Sequence, residues 1–363
     1  MINYNQIYVA VRIKAYLNNQ DKEESCIQSF TDKQIVISKS NMYEQQYEFN
    51  QIFDSQCDQE QIYLCVAYPI VKDALNGISS NLIIYGSQGS GKTYSLFGTI
   101  GSLFTLKQGL ISIESGIAIR MIHQLHQQKQ ISELKIFIID NEQIINHLMT
   151  NGQSKWIELA KQLCEVIQNL NDSIIHVVIE IKTLQNSKIK IIQIGSISKG
   201  YSGQMVTHNK SIFTLHRCIQ CLIDQQKQKK IIQMQRIYIP FRESKLTNLL
   251  SNSFLGQAQL KIILCLAPTK IDDALGTLQF GQQFQQIKIL KQQSKHQTQF
   301  SVQQQFQTQS QLQLNEFNSM TTQSQTLEMI PIQFHLQKIQ ELTDKYESII
   351  QYLQQKIIKY KNR

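Results

Sequence analysis

Apolar positions along this chain recur sometimes every second residue and sometimes every third or fourth, and the changes between these rhythms mark out its elements. Residues 7–13 (IYVAVRI) run apolar, as expected for a first strand of a central sheet. Shorter runs at 35–37 and 47–53 predict two further strands. Over 59–76 the apolar residues fall at 62, 66, 70 and 71, a helical spacing, and Asn76-Gly77 closes the helix. Residues 82–85 (LIIY) read as a buried strand. The pattern then predicts a helix over 116–128, a strand over 134–139, a helix over 155–170, and strands over 174–181 and 188–194. Helices over 209–223 and 242–251, a buried strand over 260–267 and a last helix over 272–290 complete the series. Strands alternate with helices throughout, which predicts an α/β fold: a central, mostly parallel, mixed sheet with helices on both faces.

The pattern changes after Leu290. Residues 291–331 read as a flexible linker, rich in Gln, Ser and Thr over 292–328 and poor in large apolar residues. Over 332–363, Ile339, Leu342, Tyr346, Ile349, Leu353 and Tyr360 fall on steps of three and four, with Lys356 interrupting. This predicts the start of a coiled coil. A single amphipathic helix packed back on the domain is the alternative. The chain therefore divides into a domain at 1–290, a linker at 291–331 and a coiled-coil segment at 332–363.

Composition narrows the class. A hydrophobic content of 42% over 363 residues is enough for a real core, and only 4 Pro and 15 Gly exclude a collagen-like or Pro-rich chain. No apolar run approaches the roughly 18–20 residues of a membrane span. The start, MINYNQIYVAVRIK, lacks a signal-peptide layout, and an odd number of scattered cysteines suggests a reduced intracellular protein. The formal charge of +9 asks for an acidic partner: nucleic acid, an anionic membrane face or an acidic protein surface.

The chemistry concentrates after the strand at 82–85. Gly86, Ser87, Gln88, Gly89, Ser90, Gly91, Lys92 and Thr93 satisfy the phosphate-loop pattern G-x-x-x-x-G-K-[ST] in full. Glycines let the backbone fold tightly round a polyphosphate with its N–H groups pointing inward. Lys92 supplies a point charge for β/γ oxygens, Thr93 a hydroxyl for Mg²⁺, and the helix that follows its positive end. A bound nucleotide is the expectation. An unrelated phosphate-loop enzyme, such as a small-molecule kinase, is one way to supply it.

Six blocks in order make another choice. The phosphate loop lies in NLIIYGSQGSGKTYSLFG, Gly116-Ile-Ala-Ile-Arg120 opens a helix, and Asp140-Asn-Glu-Gln-Ile144 follows a strand. Asn209-Lys-Ser211, Ile239-Pro-Phe-Arg-Glu-Ser-Lys-Leu-Thr247 and Thr277-Leu-Gln-Phe280 come later. Together these resemble the motor domain of kinesins over residues 7 to about 290. The resemblance implies ATP and Mg²⁺ as cofactors, tubulin as partner with no nucleic acid, a cytoplasmic, microtubule-associated location, and a homodimer through 332–363. It assigns catalysis to Lys92, Thr93, Ser173 and Gly195, and metal binding to Thr93. It assigns the nucleotide to residues 86–93 with Tyr94, Arg12 and Lys14. Microtubule contact falls to Lys210, Lys227, Lys229, Lys230, Arg242 and Lys245; a merely solvated basic loop is the alternative at 227–230.

Two segments depart from the family pattern. Where the first switch reads SSRSH, this chain has Asp172-Ser173-Ile174-Ile175-His176, so only Ser173 and His176 match. Where the second reads DLAGSE, it has Gln193-Ile194-Gly195-Ser196-Ile197. Gln193 stands for the aspartate that orients Mg²⁺, and a neutral amide brings no anionic charge to a hard cation. Ile174 and Ile197 replace both ends of a switch ion pair, which suggests an apolar contact in place of an ionic latch; an alignment placing Ser198 at the glutamate position leaves that open. Two readings follow: an ATP-driven motor, or a hydrolysis-poor relative that binds microtubules as an adaptor. Cys218-Ile-Gln-Cys221 lies in a helix without a second pair, so half-buried structural thiols are expected rather than zinc.

Overall fold

Burial on two faces at once explains the centre of this molecule. The computed structural model describes residues 4–16, 24–39, 42–152, 154–170, 175–196, 203–228 and 238–290. Its first strands are β1 (Tyr4–Gln6), β2 (Tyr8–Ile13), β3 (Ile27–Phe30), β4 (Gln34–Lys39), β5 (Met42–Glu48) and β6 (Gln51–Phe53). Helices α1 (Gln59–Ile62) and α2 (Tyr68–Leu75) flank a π turn, Tyr63–Ala67. Strand β7 (Ser80–Tyr85) leads through the phosphate loop to α3 (Lys92–Phe97), then α4 (Ile100–Lys107) and α5 (Ile117–Gln127). Next come β8 (Ile131–Asp140), β9 (Gln143–Thr150), α6 (Trp156–Asn169), β10 (His176–Thr183) and β11 (Lys188–Gln193). The remainder is α7 (Gly203–Gln228), α8 (Lys245–Phe254), β12 (Gln259–Leu266), α9 (Ile271–Gln286) and β13 (Lys288–Leu290).

The central sheet runs β6-β2-β12-β7-β11-β10-β8-β9. The five strands from β6 to β11 are parallel, and β10, β8 and β9 extend the sheet antiparallel. Side chains of a strand alternate between faces, so a strand covered on both sides reads as a nearly continuous apolar run. In β7, Leu82 and Ile84 enter the core on one face, while Ile83 and Tyr85 enter the core on the other. The first face is covered by Ile62 of α1, Ile70 of α2, Ile122 of α5 and Leu163 of α6. The second is covered by Leu215 of α7, Leu250 of α8 and Phe284 of α9. Burying each such side chain contributes about 1.5–3 kcal/mol.

Several expected boundaries move. The helix over 59–76 is interrupted at Tyr63–Ala67, where the N–H of Tyr68 reaches the carbonyl of Tyr63. Pro69 stands in the first turn of α2 and can donate no hydrogen bond, so the helix restarts there. The run at 35–37 falls in β4 of a small antiparallel sheet, β3-β4-β5, and the run at 47–53 divides between the end of β5 and the short edge strand β6. The helix expected at 242–251 begins at Lys245, after a 3₁₀ turn at Phe241–Glu243, because the Ser244 side chain caps it through the N–H of Thr247 at 3.3 Å. The last helix stops at Gln286; Lys288–Leu290 turns extended and pairs with β1. Strand β9 went unread, because it is an edge strand with mostly exposed residues and no apolar period. No described helix is long and apolar enough to cross a membrane. The linker and coiled-coil segment, 291–363, lie outside the described residues.

Candidate nucleotide-binding site

The phosphate loop hangs from the C-terminal end of β7, a central strand held by β12 on one side and β11 on the other. Its glycines are there for geometry. Gly89 and Gly91 have φ of 79° and 95°, a region that side-chain-bearing residues rarely enter. A Cβ on Gly86 would stand 2.3 Å from the carbonyl oxygen of Cys265, so only glycine lets the loop pass β12. Gly91 leads directly into α3, whose N-terminus therefore faces the loop.

Lys92 is buried and donates to the carbonyls of Gly86 (2.8 Å) and Ser87 (2.9 Å) and to Ser196 Oγ (2.6 Å). Burial lowers its pKa to about 8, since a desolvated ammonium is costly without an anion beside it. Lys14 Nζ donates to the carbonyl of Gly89 at 3.0 Å, and Lys270 Nζ to that of Gln88 at 3.2 Å. Two lysines thus grip adjacent residues of the loop from 75 and 182 positions away in the chain. Ser90 closes the loop on itself through the Ser87 carbonyl at 2.8 Å.

Arg12 is buried beside the helix that follows the loop. It is 6% exposed and donates from Nη1 to Gln59 Oε1 and to Ser95 Oγ, each at 2.9 Å. Its guanidinium lies 4.7 Å from the ring centroid of Tyr94. Gln59 also donates to the Tyr94 carbonyl at 2.7 Å, so the two residues brace Tyr94, which is 39% exposed. Burial lowers the Arg12 pKa, with Cys265 and Tyr94 opposing the shift. Of the expected nucleotide contacts, Tyr94 presents an open aromatic face, while Arg12 supports that face from behind.

The segments opposite the loop are where the chemistry changes. Gln193 ends β11 and pairs with Ile84 of β7, which sets its side chain beside Thr93. It is 3% exposed; Nε2 lies 3.4 Å from Thr93 Oγ, and Oε1 is buried with no hydrogen-bond partner. Such a buried acceptor carries a desolvation cost of about 1–3 kcal/mol. The N–H of Gly195 donates to Nδ1 of His176 at 3.0 Å. With Nδ1 accepting, the neutral imidazole carries its proton on Nε2, 2.6 Å from Ser211 Oγ of α7. One histidine therefore joins the end of β11 to α7. Ile175 packs into the apolar core with Val177, so the position of a switch serine offers no hydroxyl to the site. Ser173, Ile174 and Ile197 lie outside the described residues.

Loop and wall together fit a nucleotide polyphosphate: tight glycines, a buried ammonium, a helix N-terminus and an exposed ring. They do not fit a hard divalent cation equally well. Thr93 offers its hydroxyl, but the side chain set against it is a neutral amide. Among the described residues no three His, Cys, Asp or Glu side chains cluster as a metal site. Sequence reasoning missed Gln59, Lys270, Ser196 and the linking role of His176. Ser196, beside Gly195 in the second switch block, and His176, which matches the first, carried signals that would have found them.

The proposed contact face lies on the other layer. Lys210 and Lys227 are exposed on α7, about 25 Å apart along the helix. Arg242 and Lys245 are exposed where the 3₁₀ turn meets α8. Arg217 of α7 pairs with Glu243 of that turn. Glu142, in the β8–β9 turn, accepts from the backbone N–H of Lys245 at 2.5 Å. Asn141 and Glu142 both have positive φ, 46° and 62°, as a two-residue hairpin requires. The carboxylate thereby caps α8 and ties the hairpin to it. Lys229 and Lys230 lie outside the described residues. Cys218 is buried with its thiol pushed up to about 12, which agrees with a structural role.

Comparison with known proteins bears directly on this arrangement. The family model described as the kinesin motor domain matches residues 11–196 and 196–287. The chain belongs to the kinesin motor domain family. Kinesin-like protein bimC of Emericella nidulans is 24% identical over 343 residues, covering 76% of this chain and 28% of that protein. Kinesin-like protein KIN-1 of Arabidopsis thaliana is 23% identical, covering 75% of this chain and 68% of its own. Kinesin heavy chain of Drosophila melanogaster is 23% identical, covering 67% of this chain and 29% of its own. The chain thus spans less than a third of bimC and of the Drosophila heavy chain. A KIF14 dimer, with AMP-PNP and in complex with a microtubule, shares the fold at a TM-score of 0.64 and 21% identity. That alignment covers 80% of this kinesin chain and 96% of KIF14's.

Proposed function

We propose that this chain is an ATP-binding, microtubule-binding kinesin in which nucleotide turnover is slow, so that it acts more as a static linker than as a motor. The observation that carries the reading is Gln193: a buried neutral amide against Thr93, with its oxygen unpaired. In this reading Lys92 holds the β/γ-phosphates, the loop N–H groups hold the remaining phosphate oxygens, and Tyr94 takes the base. ATP would supply a γ-phosphate to be sensed; on this chain the N–H of Gly195 is already engaged by His176. That engagement, with Ile175 in the core, supports a weakened response to the γ-phosphate.

Tubulin is the partner that fits the exposed cations Lys210, Lys227, Arg242 and Lys245, with Lys229 and Lys230 beside them in sequence. The microtubule complex of KIF14 supports the same partner. Dimerisation through 332–363 and a cytoplasmic, microtubule-associated location belong to this reading as well.

Microtubule-stimulated phosphate release tests it. The expected rate is indistinguishable from that of a Lys92→Ala control, while microtubule pelleting remains salt-sensitive. A rate well above the control would favour the second reading, an active motor, for which the intact geometry of loop 86–93 speaks.

A further inference from the structure

We propose that this site takes its nucleotide as the metal-free polyphosphate, with lysine charge standing in for the divalent cation. The inference rests on the nucleotide-binding reading above and concerns what accompanies the nucleotide.

Two observations carry it. First, the side chain set against Thr93 brings no anionic charge for a hard cation. Gln193 Nε2 points at Thr93 Oγ from 3.4 Å, so a proton donor faces the one hydroxyl that the loop offers a metal. The other end of the amide is buried, and its oxygen finds no partner. A hard cation takes carboxylate, carbonyl, hydroxyl and water oxygens, and a neutral amide supplies no charge to compensate its desolvation. Turning the amide over exchanges the two ends and leaves the site equally uncharged.

Second, the loop carries more fixed cations than the phosphate-loop pattern requires. Lys92 is built into it, donating to the Gly86 and Ser87 carbonyls. Lys14 and Lys270 are docked on it at Gly89 and Gln88. The pattern itself calls for only the first. The other two come from the end of β2 and from the residue that opens α9, and both converge on the loop tip. Three ammonium groups around eight residues approach the charge of a nucleoside triphosphate. They are held by carbonyl contacts already made in the free protein, so no ion need be recruited.

The test is equilibrium titration of the full chain with a fluorescent ATP analogue, in excess Mg²⁺ and in excess EDTA. The expected affinities agree within about threefold, a difference below 1 kcal/mol. Two variants sharpen the result. Gln193→Asp is expected to restore dependence on the metal, binding at least about tenfold tighter with Mg²⁺ than with EDTA. Lys14→Gln with Lys270→Gln is expected to weaken binding in EDTA by about tenfold, with an unchanged circular dichroism spectrum. Binding that collapses in EDTA would overturn this proposal and leave the nucleotide reading standing. Absence of binding in both conditions would overturn the two together. Affinity in EDTA unaffected by the double lysine variant would reject lysine charge as the substitute.

Discussion

Loop 86–93 and the segment 193–196 lie against each other, joined through Lys92 and Ser196 and through Thr93 and Gln193, and they have diverged unequally. The loop keeps every group a polyphosphate needs: glycines at φ of 79° and 95°, a buried lysine and the start of a helix. The facing segment keeps its backbone, because Ile189, Ile191 and Ile192 anchor β11 in the two cores, yet its terminal side chain is a neutral amide. Position and chemistry have separate causes here. Sheet packing sets where residue 193 stands through the apolar residues before it, and that packing does not itself supply the charge at its end. A scaffold can therefore hold a binding loop in order while the groups that respond to the ligand change. Binding and turnover should accordingly come apart in this protein.

The sharpest way to break the comparison is at the loop. Lys92→Ala removes the buried ammonium and leaves its carbonyl partners unpaired; nucleotide affinity should fall by about 1,000-fold in a fluorescence titration. An unaltered affinity would mean that the loop does not hold the nucleotide. Gly86→Ala should destabilise the fold by about 3 kcal/mol, since the added methyl group meets the Cys265 carbonyl at 2.3 Å. Gly89→Ala, with open space around its Cβ but φ of 79°, should cost only about 1–2 kcal/mol. Urea midpoints for the pair separate steric from conformational demand.

In the facing segment, His176→Ala removes the imidazole that links the N–H of Gly195 to Ser211 Oγ. A loss of about 2 kcal/mol in chemical denaturation is expected, with nucleotide affinity changed by less than about threefold. A larger loss of affinity would show that the facing segment still takes part in binding.

A pH dependence probes the loop itself. Lys92 in the free protein has its pKa lowered from 10.5 to about 8 by burial. Between these values the unfolded chain binds the extra proton, so the free protein gains stability as pH rises from about 8 to 10.5. A polyphosphate requires the ammonium, so binding takes up a proton above pH 8, and affinity should fall by up to about tenfold per pH unit. A flat profile from pH 7 to about 10 would detach Lys92 from the phosphates.

How much of this was legible depended on how local each cause is. The phosphate loop was readable because its chemistry lies in eight consecutive residues that a backbone turn dictates. The central strands β7 and β12 were readable because burial on both faces writes a nearly continuous apolar run, and β11 because its isoleucines at 189, 191 and 192 stand out between lysines. Strand β9 was not, since its side chains are largely exposed and its existence rests on pairing with β8. The last helix was read four residues too long. Ile287 and Ile289 are buried, but the chain between them is extended to meet β1, and apolar spacing alone does not separate those outcomes.

By itself the amino-acid order determined an α/β sheet, the phosphate loop, the kinesin blocks and the loss of charge at position 193. Those follow from local periodicity, turn chemistry and residue identity. The tertiary structure alone decided that Arg12 braces Tyr94 from below, that His176 ties Gly195 to α7, and that Lys14 and Lys270 meet on the loop tip. These join residues from 19 to 182 positions apart. Such contacts arise from where sheet register and helix packing bring distant side chains, and no short stretch of sequence encodes that.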